Sequence, residues 1–162
     1  MVTAVKRANS ELGCGRLEMR LTSDPANIAA VRHAVEELCE RKAGLDEKST
    51  ADVGLCVNEA LANVMRHAYD GALNKPIVVT AECQEGGIVV TIRDWGNGVN
   101  PESLPEKPFN PLEPGGLGLI CLRRMLTEVS FVPQPDGMLL IMKKAKAPAK
   151  PAGDKRPKPE RP

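Results

Sequence analysis

Apolar positions change their period several times along the chain, and each change predicts an element. Arg16-Leu-Glu-Met-Arg-Leu21 alternates apolar with charged residues, which predicts a half-exposed strand with Leu17, Met19 and Leu21 on one face. Asp24-Pro25 then supplies an N-cap and a first helical residue, and Ile28, Val31, Val35 and Leu38 recur at helical spacing until Gly44 ends the segment. A second helix runs through Asp52–Tyr69, where Val53, Val57, Ala60, Leu61, Val64, Met65 and Ala68 form one apolar face. Asp46 or Ser49 opens it and Gly71 stops it. Two β-branched runs, Pro76–Cys83 and Ile88–Arg93, flank Glu85-Gly86-Gly87 and read as a hairpin. Five prolines between Val99 and Pro114 forbid a regular helix or a central strand there, so that stretch is a loop. Long ordered loops are lids or linkers, and the segments on both sides of this one favour a lid. Ile120–Leu126 is helical, and Glu128–Val132 and Met138–Met142 make a closing hairpin across Pro135-Asp136-Gly137.

Composition adds bounds to this pattern. With 162 residues, 42% hydrophobic and 27% charged, the chain reads as one globular domain. No apolar run approaches the ~20 residues that span a bilayer, and Met1 to Ser10 lacks an apolar signal core, so a cytoplasmic protein is expected. The cysteines at 14, 39, 56, 83 and 121 form no CxxC pair, which argues for buried reduced thiols rather than zinc or a disulfide framework. The net charge of +1 hides an asymmetry, because Lys143 to Pro162 holds eight basic and two acidic residues and leaves the rest at −5. A basic Pro- and Ala-rich tail of this kind cannot bury enough surface to order itself. The expected organisation is a flexible stretch at 1–14, a folded domain at 15–143 and a disordered tail at 144–162.

Candidate chemistry sits at three places. Glu59 and Asn63 lie four residues apart on the second helix, with His67 four further on, so a carboxylate, a carboxamide and an imidazole are expected on one side of it. An amide oxygen is a suitable hard ligand for Mg²⁺, an ion that takes few protein oxygens when it also holds phosphates. Glu59 one turn away is placed to accept a proton from an attacking hydroxyl or water. Asp94-Trp-Gly96-Asn-Gly98 ends the hairpin's second strand, where a carboxylate beside two glycines suits the amino group of a flat ring such as adenine. Gly115-Gly116-Leu117-Gly118-Leu119 opens the helix after the loop and offers backbone N–H groups to a phosphate. The dinucleotide fingerprint and the GxxxxGK[ST] loop are both absent.

Glu59-Ala-x-x-Asn63-x-x-x-His67-Ala-Tyr69, Asp94-x-Gly96-x-Gly98 and Gly115-Gly-x-Gly118-Leu119, in this order, resemble the ATPase superfamily of gyrase, the MutL repair protein and the sensor histidine kinases. Within it the chain is most similar to the bacterial anti-sigma factor serine/threonine kinases, over about Arg16 to Lys143. The resemblance implies an α+β fold, a two-layer sandwich of a mixed, mostly antiparallel sheet with helices on one face, and an ATP lid between the adenine-site loop and the second glycine box. It implies ATP and Mg²⁺ as cofactors. It makes Glu59 the catalytic base, Asn63 the metal ligand and Asp94 the adenine contact, with Gly96, Gly98, Gly116, Leu117, Gly118 and Leu119 shaping the ring site and phosphate cradle. For His67 two readings stand: orienting a phosphate, or packing as a helix-end histidine.

The implied partners are a sigma factor, an anti-sigma factor antagonist that is the substrate, and a second copy of the chain. No nucleic acid or membrane is expected. Two departures from the family pattern bear on this. Met138 stands after Gly137 where a threonine is usual, with Thr91 as a possible replacement hydroxyl, and Pro114 stands where a basic residue precedes the lid glycines, leaving Lys107 as the lid's one cation. The same motifs would serve a module that acts by sequestration alone, or a detached histidine-kinase catalytic domain. No phosphoacceptor helix pair precedes the domain, which disfavours the latter.

Overall fold

The computed structural model describes residues 3–5, 15–97 and 117–147. The expected lid at 99–114 and most of the basic tail lie outside these residues.

Among the described residues six strands form one sheet: β1 (Thr3–Val5), β2 (Arg16–Thr22), β3 (Pro76–Gln84), β4 (Gly87–Asp94), β5 (Glu128–Gln134) and β6 (Gly137–Ala145). Their spatial order is β1-β2-β3-β4-β6-β5, and every described pairing is antiparallel. Helices α1 (Ile28–Leu38), α2 (Glu47–Asn63) and α3 (Leu117–Met125) supply the second layer of this α+β sandwich. Period-2 alternation decides which strand residues face them: Leu17, Met19 and Leu21 on β2, Ile77 and Val79 on β3, and Val90 and Ile92 on β4 are buried. Val31 and Val35 of α1, Val57 and Leu61 of α2, and Leu122 of α3 close the core from the helix side.

Local chemistry sets the helix ends. Asp24 accepts from the Ala26 N–H at 2.9 Å and starts a 3₁₀ turn at Pro25–Asn27 that leads into α1. Asp46 accepts from the Ser49 N–H at 2.7 Å and caps α2, so of the two predicted openers it is Asp46 that acts. Both long helices end in a π turn, Cys39–Ala43 after α1 and Val64–Ala68 after α2. Gly44 then stops the first at φ 61°, a conformation that carries little strain only without a Cβ.

Two boundaries run beyond the sequence expectation. Thr3–Val5, inside the stretch expected to be flexible, pairs its backbone with Glu18–Arg20. Strand β6 continues through Ala145, two residues past the expected boundary. Cys39, Cys56 and Cys121 are free thiols, and burial pushes the Cys39 and Cys56 thiols up to about 12. Among the described residues no helix is long and apolar enough to cross a membrane.

Candidate active site

The site is built on the last two turns of α2. Glu59 and Asn63 are half-buried, and the segment that meets them is the first turn of α3. A Cβ placed on the buried Gly118 would lie 2.9 Å from Asn63 Nδ2, 3.1 Å from Glu59 Oε2 and 3.6 Å from Asn63 Oδ1. The missing side chain therefore lets the start of a helix approach a carboxylate and a carboxamide more closely than any other residue would. Hard oxygen donors of that kind, few in number, fit a Mg²⁺ ion that takes the rest of its shell from phosphate and water. Among the described residues no cluster of three or more acidic, His or Cys side chains forms a protein-only metal cage. Leu117 and Leu119 lie in the same first turn, while Gly98 and Gly116 fall outside the described residues.

The Asp94 loop arrives just beyond, at the π turn that follows the same end of α2. The Asn97 N–H donates to the Ala68 carbonyl at 2.9 Å, and the Trp95 N–H donates to the Tyr69 hydroxyl at 2.8 Å. Tyr69 donates in turn to the Pro76 carbonyl at 2.5 Å, so one buried phenol joins the end of α2, the start of β3 and the end of β4. Ala68 follows Asn63 by about one helical turn, which brings the Asp94 loop and the Gly118 turn to neighbouring stretches of α2.

Asp94 is 3% exposed on the helix-facing side of β4, and its Oδ1 accepts from the Gly96 N–H at 3.0 Å. Burial pushes its carboxyl above the usual range, while the Gly96 N–H and the Arg93 guanidinium pull it back. Gly96 owes its identity to packing, because a Cβ there would collide with the carbonyl and Cβ of Ala68. Gly137, at φ 132°, is required in the same way where β6 passes the backbone of Asp94 and Trp95. Met138 is the cross-strand partner of Asp94 and is buried. Thr91 does not replace the missing hydroxyl. It lies on the opposite face of the sheet, with its Oγ1 2.5 Å from Thr80 Oγ1.

His67 and Arg66 are both exposed in the π turn that follows α2. From Val64 the backbone ladder widens, with the Tyr69 N–H reaching back five residues to the Val64 carbonyl at 3.1 Å. The His67 side chain is exposed and has no hydrogen bond among the described residues. The guanidinium of Arg66 instead donates to Asn63 Oδ1 at 3.3 Å, its Nε being held by the Ala62 carbonyl at 3.2 Å. Sequence reasoning passed over Arg66 because it sits off the i, i+4 spacing. A cation three residues after the metal-ligand candidate was the available signal.

A two-layer sandwich whose glycine turn opens onto a Glu/Asn pair, with a buried strand-end aspartate beside it, defines a nucleotide-site architecture. Residues 21–144 match the Histidine kinase-like ATPase domain, and the chain belongs to that family. Its relatives include proteins named serine-protein kinase RsbW. That of Oceanobacillus iheyensis is 26% identical over 135 residues, covering 78% of this chain and 85% of the relative. That of Staphylococcus aureus is 28% identical over 137 residues, covering 79% and 85%. These comparisons carry the resemblance to the anti-sigma factor serine/threonine kinases that the motifs point to.

Proposed function

We propose that the chain is a cytoplasmic ATP-dependent protein serine kinase that acts as an anti-sigma factor, phosphorylating an antagonist protein and sequestering a sigma factor. The observation that carries this reading is the approach of Gly118 to Glu59 and Asn63, which joins the second glycine box to a base and a metal-ligand candidate. Asn63 Oδ1, which accepts from Arg66 in the unliganded chain, would hold Mg²⁺ once the guanidinium turns to the phosphates, and the ion would supply charge neutralisation of the triphosphate. Glu59 takes the proton from the partner's serine hydroxyl on a carboxylate oxygen as that hydroxyl attacks the terminal phosphorus and the bond to the bridging oxygen breaks, releasing ADP. Asp94 accepts from the adenine amino group in a pocket that Tyr69 and Gly96 hold in shape. Arg66 brings a guanidinium to Asn63, providing the cation that the lid lacks near its glycines. A second copy of the chain completes the assembly, and a monomeric mass at micromolar concentration disposes of that part.

Incubation with Mg-ATP and the cognate antagonist is expected to yield phosphoserine. Glu59→Ala should lower transfer by about 10²-fold or more while ATP still binds. Undiminished transfer by that variant removes Glu59 as the base.

One observation favours a second reading, in which the domain binds ATP and regulates by sequestration without transfer. Met138, next to Asp94 across the strand pair, offers no hydroxyl to the adenine site. Normal regulation by an Asn63→Ala variant that no longer holds Mg-nucleotide is the result that supports it.

A further inference from the structure

Helices α2 and α3 run antiparallel and meet at three levels, each about one turn from the next. At the first, Gly118 faces Glu59 and Asn63. At the second, Cys56 Sγ lies 4.0 Å from the Cys121 carbonyl oxygen. At the third, the Lys144 ammonium joins the two helices, 2.9 Å from Asp52 Oδ2 and 2.5 Å from the Met125 carbonyl oxygen. Asp52 precedes Glu59 by seven residues on α2, and Gly118 precedes Met125 by seven on α3. At 1.5 Å per residue the outer levels are about 10 Å apart on each helix.

Lys144 breaks the pattern of its own strand. The inward positions of β6 run Met138, Leu140, Met142 and then Lys144, an ammonium where the alternation calls for an apolar group. Its side chain is 15% exposed and that of Asp52 19%. Its stem borders a gap too tight for water, together with Val53, Cys56, Leu126 and Met142. Withdrawing both charges from water costs nearly what their attraction returns, so such a pair adds little stability but selects one arrangement of the elements it joins. The geometry here is that of a selector. One donor of the ammonium meets the carboxylate on α2, and another meets a last-turn carbonyl of α3, at the negative end of that helix's dipole.

We propose that the Lys144–Asp52 pair is a positioning device for the nucleotide site, fixing the height of α3 on α2 and with it the distance of Gly118 from Glu59 and Asn63. The proposal rests on reading that site as an ATP site. A nine-residue helix moves as a rod, so a slide at Met125 is a slide at Gly118. Misplacement by about 1 Å at a phosphate cradle is enough to cost binding and transfer.

The full chain tests this with two readouts, amide hydrogen exchange from Cys121 to Leu126 without nucleotide, and ATP titration with Mg²⁺. Lys144→Met keeps the stem and removes the ammonium. It is expected to speed exchange in α3 and to weaken ATP binding, each by about tenfold or more, with β3 and β4 exchange within about twofold of the parent. Lys144→Arg is expected to restore both readouts. The double variant Asp52→Asn, Lys144→Met removes the stranded carboxylate and keeps the test readable if the single variant unfolds. Parental α3 exchange and ATP affinity in Lys144→Met, whatever its melting temperature, overturns the proposal. So does exchange raised throughout the sheet with no rescue by arginine. If the parent protein itself fails to bind ATP, the ATP reading falls and α3 exchange alone decides whether the pair anchors the helix.

Discussion

Trp95 and Tyr69 are joined by a hydrogen bond of 2.8 Å, from the backbone N–H of one to the phenolic oxygen of the other. The same oxygen donates to the Pro76 carbonyl, so Tyr69 fixes the strand end that carries Asp94 to the helix that carries Asn63. Removing it leaves a peptide donor and a carbonyl without their partner in a part-buried setting. Tyr69→Phe is therefore expected to cost about 1–3 kcal/mol of stability. Urea denaturation measures it, and a loss of ATP affinity larger than the change in folded fraction shows that the Asp94 loop has loosened.

Asp94 is expected to lower the stability of the unliganded fold. A carboxyl with a higher pKa in the folded chain holds its proton more firmly there, so stability falls as pH rises from the ordinary value of 3.8 through the raised one. At neutral pH the buried anion is a cost. Asp94→Asn keeps an acceptor for Gly96, and it is expected to raise the urea midpoint at pH 7 while weakening ATP binding by about tenfold or more. The stability gain should vanish below pH 3.8, where folded and unfolded chains both hold the proton. A midpoint at pH 7 that falls contradicts the assignment.

Gly118→Ala separates folding from function. The added methyl meets only the ends of the Asn63 and Glu59 side chains, which can rotate away, and alanine favours helix over glycine by up to about 1 kcal/mol. The melting temperature should hold or rise. ATP affinity should fall by about tenfold or more, because the methyl displaces the base and the metal ligand from their places beside the glycine turn. Calorimetric titration beside thermal unfolding decides it.

Arg66→Met removes an exposed cation, so the unliganded stability should move by no more than about 0.5 kcal/mol. A charge-assisted hydrogen bond to a phosphate is worth about 1.5–3 kcal/mol, and ATP affinity should fall by about ten- to a hundredfold. Unchanged affinity with His67→Ala impaired instead returns the phosphate role to the histidine.

Periodicity and cap residues determined the elements from the sequence alone. Alternation in Arg16–Leu21 gives β2, the two β-branched runs around the Gly86-Gly87 turn give β3 and β4, and the Asp46 cap with its apolar stripe gives α2, because these signals are local in the chain. The three motifs likewise point to the ATPase superfamily, since each glycine box or helix-borne pair is contiguous in sequence. What the tertiary structure decided lies between elements. The sheet register puts Thr91 on the face away from Asp94, and the close pass of Ala68 is what Gly96 accommodates. In the π turn after Asn63 the His67 side chain is exposed while Arg66 reaches the carboxamide, a choice between i+3 and i+4 neighbours that residue spacing does not encode. Lys144 reads in sequence as the start of a basic tail, yet alternation along β6 continues one step further and turns its ammonium inward between two helices. Local patterns fix which face a residue takes within its own element; only the packing of one element on another determines what that face meets.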